Sequence, residues 1–101
     1  MENLTISELQ ELQNSGKKLL VDYWAPWCGP CKMLIPRLER LESQYPDVTF
    51  VKINVDENRD HSMDVGVRSV PTVMFYDGTN KVSQMVGALA DDRYTEVLKS
   101  L

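Results

Sequence analysis

Apart from Cys28 and Cys31 the chain has no cysteine, it holds a single histidine, and its longest apolar runs are only a few residues. Each shortage removes a class of protein. A bilayer span needs roughly 20 consecutive apolar residues, and nothing in the sequence approaches that. Zinc prefers four ligands, and one cysteine pair with a lone histidine and no second pair does not supply them. Eleven Lys and Arg against fifteen Asp and Glu give a net charge of −4 with no basic cluster, a poor basis for gripping nucleic-acid phosphates. Met1-Glu2-Asn3-Leu4 has neither the basic n-region nor the apolar h-region of a secretory signal. The expected compartment is therefore cytoplasmic, where thiols are kept reduced and a disulfide is transient or catalytic. No repeat, low-complexity tract or linker interrupts the 101 residues, so one domain over residues 1–101 is expected.

The two cysteines that are present sit in Trp27-Cys28-Gly29-Pro30-Cys31-Lys32, after an apolar run and before a helical pattern. Residues three apart in a first helical turn have Cβ atoms about 5–6 Å apart, so a small adjustment lets them form a disulfide. Free backbone N–H groups and the positive end of the helix dipole favour the thiolate of the first cysteine. Cys28 is thus expected as an exposed nucleophile at the helix start, and Cys31 as the more buried thiol that resolves the mixed disulfide. Lys32 adds little to this, since an exposed lysine is well solvated.

Thr5-Ile6-Ser7-Glu8 matches a capping box, with Ile6, Leu9 and Leu12 at helical spacing behind it and Asn14-Ser15-Gly16 as a stop. Leu19 to Trp24 reads as a buried strand interrupted only by Asp22. From Cys31 a helical stripe runs through Leu34, Ile35, Leu38, Leu41 and Tyr45, with Pro36 expected to kink it. Val48 to Val55 reads as a second strand and residues 58–65 as a short helix. Thr72 to Tyr76 and Val82 to Val86 flank a turn-rich loop, Asp77 to Lys81, as a hairpin. Tyr94, Val97, Leu98 and Leu101 mark a last amphipathic helix. Strands separated by helices pair in parallel and a tight hairpin is antiparallel, so an α/β fold with a mixed sheet and helices on both faces follows. His61 reads as an exposed surface histidine, Met63 and Met74 as core filling, and Trp24 as packing beside the cysteines.

The segment Val21-Asp22-Tyr23-Trp24-Ala25-Pro26-Trp27-Cys28-Gly29-Pro30-Cys31-Lys32-Met33, with Pro36, Lys52, Asp56, Val70-Pro71-Thr72 and Val86-Gly87-Ala88, resembles the thioredoxin family in order and spacing. The resemblance implies the thioredoxin fold: three layers, α/β/α, with a mixed sheet of four to five strands and four helices. Only Met1 to Leu4 precede the first helix, so the first edge strand is expected to be short or missing. Pro26 stands where the family usually has a charged or polar residue.

Burying a charged carboxylate costs several kcal/mol, so a buried Asp22 should have a raised pKa, whereas at a strand end it would be solvated. The resemblance implies the first case, with Asp22 exchanging a proton with Cys31 and Lys52 as its partner. It implies a cis Pro71, which leaves the backbone of Val70 free to pair with an extended substrate. Trp27, Gly29, Pro30, Gly87 and Ala88 would form the apolar rim. The implied activity is general protein-disulfide reduction, the Gly29-Pro30 pair matching the reducing members. No bound cofactor is implied, and electrons would come from NADPH or ferredoxin through a thioredoxin reductase. Implied substrates are disulfide proteins such as ribonucleotide reductase or a peroxiredoxin, met by a monomer that binds neither nucleic acid nor membrane. Two rivals share the fold: a disulfide oxidase or isomerase domain, and a non-catalytic partner-binding subunit.

Overall fold

The computed structural model describes residues 1–101. In chain order the elements are β1 (Glu2–Asn3), α1 (Ile6–Asn14), β2 (Lys18–Trp24), α2 (Gly29–Glu42), β3 (Thr49–Asn54), α3 (Arg59–Asp64), β4 (Thr72–Asp77), β5 (Asn80–Val86) and α4 (Asp91–Ser100). The five strands form one sheet in the order β1-β3-β2-β4-β5. β1 and β2 both run parallel to β3, while β4 is antiparallel to β2 and β5 to β4. This is the mixed α/β/α arrangement expected of the thioredoxin fold. The first edge strand exists, at two residues, because its pairing with Val51 and Lys52 uses backbone groups and needs no apolar side chain.

Alternation along β2 divides the core. Leu20 points to the face covered by Leu34, Leu38 and Leu41 of α2 and by Tyr94 and Leu98 of α4. Leu19, Val21 and Tyr23 point to the opposite face, with Leu9 of α1 and with Val65 and Val67 behind α3. The capping box holds α1 in place: Glu8 N donates to Thr5 Oγ1 at 3.1 Å and Thr5 N to Glu8 Oε1 at 2.9 Å. α2 continues through Pro36, which lies on its exposed side.

Three local expectations need correcting. The hairpin loop is two residues, Gly78-Thr79, not five: glycine first at φ +63° suits a primed turn, and pairing resumes at Asp77 with Asn80. Met63 is not core filling but exposed, because α3 turns His61 and Ser62 inward and leaves Met63 outside; Met74 is buried as expected. His61 is not a free surface residue. It is half-buried, stacked on Tyr23 with ring centres 5.8 Å apart, and its Nε2 shares a 2.8 Å hydrogen bond with the Tyr23 hydroxyl.

Leu38 is fully buried between α2 and the sheet and touches none of the residues around the cysteines. Leu38→Ala should cost about 2–5 kcal/mol in urea unfolding, through lost burial and the cavity left behind. A cost below about 1 kcal/mol would mean this layer is not close-packed.

Candidate active site

The site forms where β2 ends. In open α/β sheets a ligand meets the carboxyl ends of the strands, and here that end feeds through Ala25, Pro26 and Trp27 into the start of α2. Cys28 is the N-cap of α2, and its Sγ accepts a hydrogen bond from Cys31 N at 3.2 Å. Cys28 and Cys31 are joined as a disulfide, with Cα atoms 5.3 Å apart. Pro30 fits within the first turn, where a missing N–H costs nothing. Cys28 is less open than expected, at 4% exposure against 0% for Cys31. Ala25, Trp24, Val55 and Val70 pack around the pair, and solvent reaches only the Cys28 side.

The other predicted residues gather around Cys28. Its Sγ lies 3.7 Å from the carbonyl oxygen of Val70. The Val70–Pro71 peptide is cis. Gly87 N donates to Pro71 O at 2.8 Å, which ties the end of β5 to this turn. Gly87 has φ +89°, a conformation that suits glycine and few other residues. Gly29, Pro30 and Ala88 are exposed, and Trp27 is 70% exposed while its indole N–H donates to Asp56 Oδ2 at 2.9 Å.

Asp22 shares the α2 face of β2 with Leu20, two residues closer to the cysteine end. The buried stripe of α2 above that face is Cys31, Leu34, Leu38 and Leu41. The carboxyl is fully buried and neither oxygen has a hydrogen-bond partner among the protein groups. Burial pushes its pKa up to about 7, opposed in part by the positive charge of Lys52. Lys52 is in register with Asp22 on β3, but the two form no ion pair. Lys52 is half-buried and its ammonium lies over the Trp24 ring, 4.9 Å from its centre, in a cation–π contact. Lys32 is exposed.

The loop before α4 is held by Arg37, which no sequence motif singles out, and by Tyr94, which the sequence marks only as part of the apolar face of α4. Arg37 of α2 bonds Asp91 Oδ1 through Nε at 3.0 Å and Nη2 at 2.7 Å, and also donates to Leu89 O. The Tyr94 hydroxyl accepts from Leu89 N at 3.0 Å and donates to Gly87 O at 3.2 Å. These contacts span more than fifty residues in the case of Arg37, so no local pattern announces them. No cluster of three or more His, Cys, Asp or Glu side chains is placed to hold a metal ion.

A family model described as Thioredoxin matches residues 4–100. Thioredoxin 1 of Nostoc sp. is 41% identical over 91 residues, covering 89% of this chain and 85% of that protein. The oxidised crystal structure of mitochondrial thioredoxin 3 from Saccharomyces cerevisiae superposes with a TM-score of 0.88 at 34% identity, over 100% of this chain and 94% of that one. A chain from a structural study of thiol resolution in yeast mitochondrial 1-Cys peroxiredoxin via glutathione/thioredoxin systems also gives a TM-score of 0.88. It is 33% identical, over 100% of this chain and 94% of that one.

The buried acid sets a pH dependence of stability. Asp22 titrates near 7 when folded and near 3.8 otherwise, so between those values the folded chain holds the extra proton. Stability contributed by the neutral carboxyl is complete below about pH 4 and is lost as pH rises through 7. Asp22→Asn cannot ionise, so the variant should gain on the native chain across that window, by up to about 4 kcal/mol above pH 7. Parallel urea midpoints for the two proteins from pH 4 to pH 8 would contradict this.

Proposed function

The chain belongs to the thioredoxin family, and from that premise we propose the division of labour by which its residues carry out disulfide exchange. The protein is a thiol-disulfide oxidoreductase that reduces protein disulfides with the Cys28/Cys31 dithiol. The observation that carries the residue assignment is the position of Cys28: it caps α2, takes the Cys31 N–H, and is the only member of the pair that solvent reaches.

In the reduced protein the Cys28 thiolate attacks one sulfur of the substrate disulfide. A mixed disulfide forms and the other substrate sulfur leaves as a thiolate that takes a proton from water. Cys31 then gives up its proton and attacks Cys28 Sγ. The second substrate sulfur leaves, and the Cys28–Cys31 disulfide remains. Two electrons pass from the dithiol to the substrate. Asp22 receives the Cys31 proton, a role supported by its burial on the α2 face and a pKa of about 7, which suits proton exchange near neutral pH. Lys52 is a positioning residue that limits how far the pKa of Asp22 climbs. The extended substrate lies along Val70 and Pro71, with Trp27, Gly29, Pro30, Gly87 and Ala88 as the surrounding rim. The closeness of Cys28 Sγ to the Val70 carbonyl supports that path.

As a thioredoxin the chain needs no bound cofactor, since its own two sulfurs carry the electrons. We assign its recharging to a thioredoxin reductase drawing on NADPH or ferredoxin. Peroxiredoxin is proposed as one substrate, in line with the subject of the yeast structural study, and ribonucleotide reductase as another. No helix is long and apolar enough to cross a membrane. The proposed setting is a cytoplasmic monomer.

Insulin reduction followed with dithiothreitol as the electron source tests the assignment. Cys28→Ser should fall to the uncatalysed rate. Reduced, freed of dithiothreitol and then mixed with insulin, Cys31→Ser should accumulate a covalent adduct through Cys28, visible on non-reducing gels and lost on adding thiol. An adduct through Cys31 in the Cys28→Ser protein, with none in the Cys31→Ser protein, would reverse the two roles.

A further inference from the structure

A groove of about 250 Å³ opens beside the cysteine rim, and its walls share Trp27 and Val70 with it. The rest of its lining differs in character from that rim. Met63, 74% exposed, faces it with Trp27, and so do the guanidinium-bearing residues Arg59 of α3 and Arg68 of the loop leading to Val70. Both arginines are exposed, and neither makes an ion pair; Arg37 alone among the arginines does. The groove has one acid, Asp56, and its Oδ2 already accepts the Trp27 N–H. In a chain of net charge −4, this leaves two unpaired cations lining one groove with exposed Trp and Met. Aromatic residues, Met and Arg are the types enriched where proteins bind one another, and Arg pairs with carboxylates in a fixed two-point geometry.

We infer that this groove binds the segment flanking the reacting disulfide of a partner protein, and that Arg59 and Arg68 select segments carrying Asp or Glu beside an apolar residue. The inference deepens the reductase reading and rests on it for the arrival of a protein chain at Val70. The strand that pairs with Val70 runs on into the groove, where its apolar side chain meets Trp27 and Met63 and its carboxylates meet the two guanidiniums. Arg59 and Arg68 thereby determine specificity without touching the exchanging sulfurs.

Binding is separated from chemistry by using cysteine-free peptides that differ only in carrying two Glu or two Lys beside the same apolar residue, titrated by tryptophan fluorescence in a Trp24→Phe background that leaves Trp27 as the one emitter. At low ionic strength the Glu peptide should bind about 5–10-fold more tightly than the Lys peptide, as two solvent-exposed ion pairs allow. The ratio should approach one at about 0.5 M salt, and also in the Arg59→Gln/Arg68→Gln double variant. The same peptides built as disulfides should show the same ratio in kcat/KM, while hydroxyethyl disulfide, small and uncharged, is reduced equally by both proteins. Equal binding of the two peptides with both arginines in place, or a preference that survives in the double variant, overturns the inference. So does competition by inorganic phosphate at matched ionic strength, which makes the groove a small-anion site. Self-association abolished by the double variant would assign it to a second copy of the chain and overturn it equally. A preserved binding ratio with no disulfide reduction would sink the reductase reading and leave the groove assignment standing.

Discussion

Strand β2 is hydrogen-bonded along both edges, by β3 and β4, and covered on both faces by helices, so that Leu19 through Tyr23 have no exposed surface at all. That enclosure is the constraint on which the remaining structure depends. A slip of one residue would exchange its two faces, sending Asp22 among Leu9, Val51 and Met74 and bringing Val21 and Tyr23 beneath α2. Register is therefore held by the whole core, and the exit of β2 toward Ala25 and Cys28 is held with it. A reactive residue placed at the end of such an element needs little further support. Cys28 inherits its position from the sheet and its hydrogen bond from the helix it caps.

The same enclosure makes Asp22 costly. Valine or leucine there would continue the packing of Leu20 and Phe50, whereas the carboxyl is buried with no protein group hydrogen-bonded or ion-paired to it. Stability is given up at this position, as is common where an active site needs a group in an unfavourable setting. Lys52 illustrates the balance. A direct ion pair would pull the Asp22 pKa back toward the ordinary carboxylate range, and the contact of the ammonium with Trp24 leaves only a partial pull. The carboxyl is thus kept near 7, where it can both take and return a proton.

Much of this was legible in the sequence, for physical reasons that also mark where legibility stops. α2 declares itself by the spacing of Cys31, Leu34, Leu38 and Leu41, since a helix buried on one face must repeat with its own period. β2 declares itself by a continuous apolar run, and Asp22 stands out because it breaks that run. β5 is an edge strand with most of its side chains in water, so Asn80 and Lys81 look like loop although they pair with Asp77 and Tyr76. β1 is two polar residues held by backbone bonds alone. His61 gave no sign of its partner because Tyr23 lies 38 positions away and on another element. The site followed the same rule. The cysteines and Pro71 carry local motifs, but the Arg37–Asp91 and Tyr94–Gly87 contacts and the groove between α3 and the loop before Pro71 exist only once the chain has folded.

The proposed proton path accounts for why the acid lies on the Cys31 side of the sheet. Resolution of the mixed disulfide requires Cys31 to become an anion while buried, and a thiolate there bears a desolvation penalty of the same kind as the Asp22 carboxylate. Two such anions in one buried layer would each raise the other's pKa, so the layer accommodates one negative charge far more readily than two. Passing the proton from Cys31 to an ionised Asp22 moves that charge without adding a second. In the same proposal Cys28 needs no such partner, because the α2 N-terminus and the Cys31 N–H would stabilise its thiolate. In the proposed path the two sulfurs are activated by different means, one by a helix terminus and one by a buried base, and this asymmetry would set the order in which they react.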